Sequence, residues 1–232
     1  MSKTKILILD YSVDRSETSA IKKHLLENSN VSSLFIDTEE SFSDDLINDD
    51  FTHIIHTGSA LSITQSAPFT KKAVDNIQKA RDKGLWQMGI CYGHQLICLA
   101  LVGKQAVRSS SKGLEAGWNG VTFINEATTL LGVKKSETVW QHHFDEVTQL
   151  PEGSQLLATN AHTKIQAYIS YKQRLLGTQF HPEFDKKTGD KIFLDNTLLS
   201  KKYHFNVQEM IQRGPSFDVG KVFFNLFVEM KV

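Results

Sequence analysis

Apolar residues in the first hundred positions arrive in short unbroken runs, separated by longer stretches with helical spacing. Ile6-Leu7-Ile8-Leu9 closes on Asp10, and residues 31–36, 51–56 and 85–88 repeat that texture. Short apolar runs bounded by charge or turn residues predict buried strands. Between them, 15–28 places Ala20, Ile21, His24 and Leu25 on one helical face, and 68–83 predicts a helix with Pro68 in its opening turn. The acidic stretch 37–50 predicts a loop with one helical turn at most. Strands alternating with helices predict a parallel sheet with right-handed crossovers, whose ligands bind at strand carboxyl ends. The third strand ends there in Thr57-Gly58-Ser59.

After Gly103 the pattern changes. Residues 104–111, 120–124, 138–140, 155–158, 165–170 and 174–180 are short β-rich runs separated by Gly, Asn and polar clusters, which predicts antiparallel strands and hairpins. A short helix fits 127–131. Helical patterns return at 187–200, 206–213 and 217–231, and the last carries Val222, Phe223, Leu226, Phe227 and Met230 on one face as core.

Composition narrows the class. A chain of 232 residues is ample for one α/β domain spanning 1–232, and no repeat or linker divides it. Lys+Arg and Asp+Glu are both 26, so a formal net charge of zero offers no electrostatic handle for nucleic acid or an anionic membrane. The apolar run at 6–9 is too short for a signal segment, and no run approaches a membrane span. Two cysteines fit a reducing compartment better than a disulfide scaffold. A cytoplasmic, membrane-free protein is expected.

Chemistry concentrates in Gly89-Ile90-Cys91-Tyr92-Gly93-His94-Gln95. The run before it predicts a strand and Leu96 to Val102 predicts a buried helix, so Cys91 stands at a strand-to-helix turn with glycines at −2 and +2. That is the nucleophile-elbow pattern with sulfur in place of oxygen. The turn is tight, which calls for small neighbours. The helix start leaves backbone N–H groups aimed at the sulfur and favours thiolate. The alternative is a small buried hydrophobe in an ordinary turn, which is the reading for Cys98. A nucleophile needs a base, and Gln179-Phe180-His181-Pro182-Glu183-Phe184 supplies one at another strand end. Pro182 restricts the backbone on both sides, and Glu183 then reaches back to the second ring nitrogen of His181.

These motifs resemble the class I glutamine amidotransferases, and within them the stand-alone GMP-synthase-like proteins. Val139 through Val147, with Trp140, His143 and Asp145, is similar to a third family segment of Trp, two residues, His, one residue, Asp. The resemblance runs from Ile6 to about Glu183. It implies a flavodoxin-like core with an inserted antiparallel patch. It implies a catalytic triad of Cys91, His181 and Glu183, with an oxyanion hole from the Tyr92 backbone N–H and the Gly58-Ser59 turn. It also implies that the Gln95 side chain and the backbone of His142, His143 and Phe144 hold the substrate, although Trp140 and His143 are equally readable as packing residues. No metal ligands and no cofactor are assigned.

Two departures bear on function. Family members usually have Gly-Gly-Pro where this chain has Gly58-Ser59-Ala60, so the oxyanion turn is expected to need ordering by a partner or a better substrate. The helical stretch after Glu183 is shorter than a domain of about 100–150 residues, and no Gly-rich phosphate loop occurs. Three functions therefore stand. The first is a glutaminase passing ammonia to a separate synthetase. The second is a self-contained hydrolase of γ-glutamyl peptides. The third is a catalytically silent small-molecule-binding protein, against which the intact Cys-His-Glu set argues.

Overall fold

In the computed structural model, residues 4–25, 29–48, 50–196 and 201–231 are described. The buried runs assemble into one nine-stranded sheet. Its first half is β1 (Lys5–Asp10), β2 (Asn30–Phe35), β3 (His53–His56), β4 (Trp86–Ile90) and β11 (Leu175–Thr178), all parallel and ordered β2-β1-β3-β4-β11. The pleat sorts side chains by alternation. Ile6 and Ile8 join one core with Ile21, Phe223, Phe224 and Phe227, while Leu7 and Leu9 join another with Ile77, Leu96 and Ile97. The sheet is thus covered on one face by α1 (Glu17–Lys22), α4 (Asn125–Leu131) and α7 (Val219–Glu229). The other face is covered by α2 (Thr70–Asp82) and α3 (Tyr92–Leu101).

The antiparallel patch continues the same sheet. From β11 the order runs through β10 (Ala167–Ser170), β9 (Gln155–Thr159), β6 (Glu115–Phe123) and β7 (Ser136–His143), each antiparallel to the last. Outside it, β5 (Val107–Ser109) pairs with β8 (Asp145–Val147) as a separate two-stranded sheet.

Several boundaries differ from expectation. The first helix occupies Glu17–Lys22, because Arg15 takes a left-handed φ of 59° and breaks the turn before it; 26–28 lie outside the described residues. Pro68 precedes the N-cap, Phe69, so it ends the loop and does not open the helix. Residues 104–106 form a 3₁₀ turn, leaving a three-residue strand that leaves the main sheet. The runs at 120–124 and 138–140 are the apolar centres of strands extended by Glu115, Asn119, Gln141 and His143, polar residues that conceal strand in sequence. Helix α5 (Lys186–Asp195) ends before the expected boundary, and 197–200 lie outside the described residues. Helix α6 (Val207–Gln212) and α7 fall where the periodicity put them.

Candidate active site

Cys91 sits between β4 and α3 with φ 47° and ψ −103°, a conformation L-residues rarely adopt. The glycines around it are sterically required. A Cβ at Gly89 would lie 2.6 Å from the Gly93 carbonyl oxygen, and one at Gly93 would lie 2.1 Å from the His56 carbonyl oxygen. The turn is tied down by Cys91 N–H to Thr178 O at 2.8 Å and Gly93 N–H to Thr57 O at 3.0 Å. Strain at one residue is therefore held by hydrogen bonds to both neighbouring strands.

His181 follows β11, the strand beside β4, and so arrives at the same sheet edge as Cys91. Its N–H bonds to Trp140 O at 2.9 Å. The ring stacks on Phe184 at 5.1 Å and meets Trp140 edge-on at 5.0 Å, which fixes its plane. Glu183 Oε1 lies 2.6 Å from His181 Nδ1, leaving the other ring nitrogen for the sulfur side. Burial disfavours charge on this ring. The Cys91 sulfur, through charge and hydrogen bonding, and the Glu17 carboxyl outweigh burial and hold its pKa above the ordinary histidine value. Burial pushes the Glu183 pKa up to about 7, against hydrogen bonds that lower it.

The His-Pro-Glu turn is clamped from the C-terminal side. A Cβ at Gly220 would lie 2.1 Å from the Pro182 carbonyl oxygen, and one at Gly189 would lie 2.5 Å from the Trp140 ring. Helices α5 and α7 thus approach this turn closely enough to need glycine. Ala20, Trp118, Trp140, Phe184, Phe193 and Met210 form a small core beneath it.

A cleft of about 80 Å³ opens over Cys91, walled by 59–62 and 142–145, with Gln95 in its lining. The Cys91 sulfur is 3.9 Å from the His142 carbonyl oxygen. Gln95 Nε2 donates to Asp145 O at 2.9 Å and Gln179 Oε1 at 3.1 Å. Phe144 is exposed at the rim. Both ring nitrogens of His143 are engaged, Nδ1 with Asp145 O at 2.9 Å and Nε2 with Glu115 Oε2 at 3.1 Å, so this residue offers the cleft its backbone. Glu115 also accepts from Asn160 at 2.6 Å and Gln166 at 3.0 Å. His142 is kept neutral, its pKa lowered to about 4 by burial and by the charges of His181 and His143.

The oxyanion turn is anchored at both ends. The Thr57 hydroxyl accepts from Tyr11 N–H at 2.9 Å and donates to Gly58 O at 3.0 Å. Asp145 Oδ2 accepts from Ile63 N–H at 2.9 Å and the Ser62 hydroxyl at 2.5 Å, and Oδ1 from Ser109 at 2.8 Å. Neither Ser59 nor Ala60 has a positive φ, so no second glycine is required sterically. A Cβ at Gly58, by contrast, would lie 2.7 Å from His181 Cε1. The motifs pointed to neither Glu17 nor Glu115. Asp145 belongs to the Trp-x-x-His-x-Asp segment, which carried a signal for it. Cys98, seven residues from Cys91, is fully buried and its thiol is pushed up to about 12.

Comparison with known proteins bears on this geometry. The sequence profile of glutamine amidotransferase class-I matches residues 11–201. The separate subunit of a glutamine-hydrolyzing GMP synthase from Sulfolobus acidocaldarius is 41% identical over 117 residues, covering 50% of this chain and 61% of that one. The glutamine-hydrolyzing GMP synthase of Clostridium kluyveri is 33% identical over 146 residues, covering 62% of this chain and 27% of that one. The chain therefore spans under two thirds of these relatives' lengths. The fold is that of a Thermotoga maritima glutamine amidotransferase, with a TM-score of 0.81, coverage of 99% and 100% and sequence identity of 17%.

Proposed function

From the premise that this chain belongs to the class I glutamine amidotransferase family, we propose that it hydrolyses the side-chain amide of glutamine and passes the ammonia to a separate synthetase. One observation carries the reading. A cysteine held in a strained elbow and a histidine backed by a buried glutamate meet at one edge of the sheet, beside a small cleft. The Cys91 thiolate attacks the amide carbon, and the carbonyl π electrons move to oxygen. The Tyr92 N–H and the Gly58-Ser59 turn stabilise that oxyanion. The C–N bond breaks as His181 gives the nitrogen a proton, and ammonia leaves. His181 then takes a proton from water, whose oxygen displaces the sulfur and releases glutamate. Glu183 holds the ring tautomer and stabilises the imidazolium.

Gln95 and the 142–144 backbone are assigned to the glutamine α-amino and carboxylate groups. The cleft's small size favours free glutamine over a longer γ-glutamyl peptide. The likeness to GMP synthases supports a synthetase as ammonia acceptor. Both cysteines are free, which supports a reducing, cytoplasmic setting. None of the helices among the described residues is long and apolar enough to cross a membrane. The test is a substrate panel of glutamine and γ-glutamyl peptides, read as glutamate and ammonia released, with Cys91→Ala as control. Glutamine should be turned over in a Cys91-dependent way. Exclusive turnover of peptides identifies the self-contained hydrolase, and no turnover with reversible binding identifies the silent binder.

A further inference from the structure

Glu17 opens α1 and points inward, its side chain 9% exposed. Its Oε1 is 3.8 Å from His181 Nδ1, the atom that Glu183 Oε1 approaches at 2.6 Å. Acceptor atoms of Glu17, His181 and Glu183 all lie within 4.8 Å of one another. The Oε2 atoms of both glutamates are buried without another partner. Gly58 admits this crowding, since a Cβ there would stand 3.0 Å from Glu17 Oε1. Asp10 fixes the start of α1 by accepting from the Thr18 N–H and hydroxyl, which aims Glu17 at the cluster.

Two buried carboxylates facing one imidazole repel each other strongly when both are ionised, so the pair retains a proton. The group nearer the ring keeps the negative charge and the farther one keeps the proton. We infer that Glu17 is a positioning residue: as a neutral acid it donates a hydrogen bond to Glu183, holding a single, oriented carboxylate against His181. Burial and the Glu183 charge both raise the Glu17 pKa well above the carboxylate range, in accord with this geometry. The other titratable groups around it fit. Asp10 is occupied by Ser12 and Thr18, His24 Nε2 meets the Glu183 backbone carbonyl at 3.1 Å, and Cys91 and His142 interact with His181. The inference rests on the catalytic reading of Cys91 and His181.

The experiment is the pH dependence of Cys91 alkylation by iodoacetamide, which needs no substrate, in wild type, Glu17→Gln and Glu17→Ala. An amide donates as the neutral acid does, so Glu17→Gln should keep the wild-type inflection. In Glu17→Ala, Glu183 loses its donor, holds its proton more tightly and supports the imidazolium less. The thiol inflection should rise by about one pH unit, lowering alkylation below it about tenfold, with a parallel fall in kcat and little change in KM. Glu17→Met, which fills the volume without a donor, must show the same rise and stands in if alanine unfolds the chain. A Gln variant shifted like Ala, or Ala and Met variants with the wild-type inflection, overturns the inference. A shift as described in a protein that does not consume glutamine leaves Glu17 in place and removes only the proposed substrate.

Discussion

His181 and His143 are both buried imidazoles with a glutamate oxygen at hydrogen-bond distance. His181 touches the Cys91 sulfur and His143 lines the cleft above it. They differ in what the pairing leaves free. His143 commits Nδ1 to a carbonyl and Nε2 to Glu115, and Glu115 is itself occupied by Asn160 and Gln166. His181 commits one nitrogen to Glu183 and keeps the other for sulfur, while both carboxyls behind it retain a buried unpartnered oxygen. A saturated cluster braces a wall, and a cluster with one valence left over can move a proton. Residue type does not separate the two, and the inventory of hydrogen bonds does.

The largest expected effect breaks the comparison directly. Cys91→Ala or His181→Asn should lower kcat for glutamine by about 10⁴-fold or more with the melting temperature nearly unchanged, because members of a catalytic unit fail together. A glutamine-mimicking electrophile should label Cys91 and spare buried Cys98 by peptide mapping. His143→Asn should do the reverse. It strands the Glu115 charge at a cost of about 3 kcal/mol in denaturant unfolding, while the folded fraction loses less than tenfold in turnover. Equal catalytic losses at His143 and His181 would erase the distinction.

His142 lies within the electrostatic reach of both rings and sharpens the contrast with pH. Its folded pKa of about 4 is below the unfolded value of 6.5, so its contribution is present above 6.5 and lost as pH falls toward 4. His142→Gln should flatten the fall in melting temperature across that window, by at most about 1.4 kcal/mol per pH unit at its steepest. The smallest expected effect is at the oxyanion turn. With its ends anchored and no left-handed φ at Ser59 or Ala60, Ser59→Gly with Ala60→Pro should change isolated-chain glutaminase activity less than about threefold. A gain nearer the hundredfold typical of restoring an oxyanion donor would show that the turn needs a partner to order it.

How much was legible follows from where each constraint is local. The elbow could be read because Gly89 and Gly93 must each be small for a backbone clash within a few residues or across to β3. The parallel strands announced themselves as apolar runs buried on both faces. Strands β6 and β7 were legible only at their centres, since Glu115, Gln141 and His143 are polar yet face one another inside the sheet. Glu17 carried no signal, because Asp14-Arg15-Ser16-Glu17 has the composition of a solvated helix start.

The sequence by itself determined the alternation of strand and helix, the strained cysteine turn and the presence of a His-Pro-Glu segment, since each rests on the sterics and periodicity of adjacent residues. Tertiary structure decided the rest. Placing β11 beside β4 brings His181 to Cys91 across roughly ninety positions of chain. Packing Gly58 against the imidazole admits Glu17 behind it. Whether a buried histidine braces or reacts is set by which of its two nitrogens finds a partner, and those partners come from strands and helices distant in sequence.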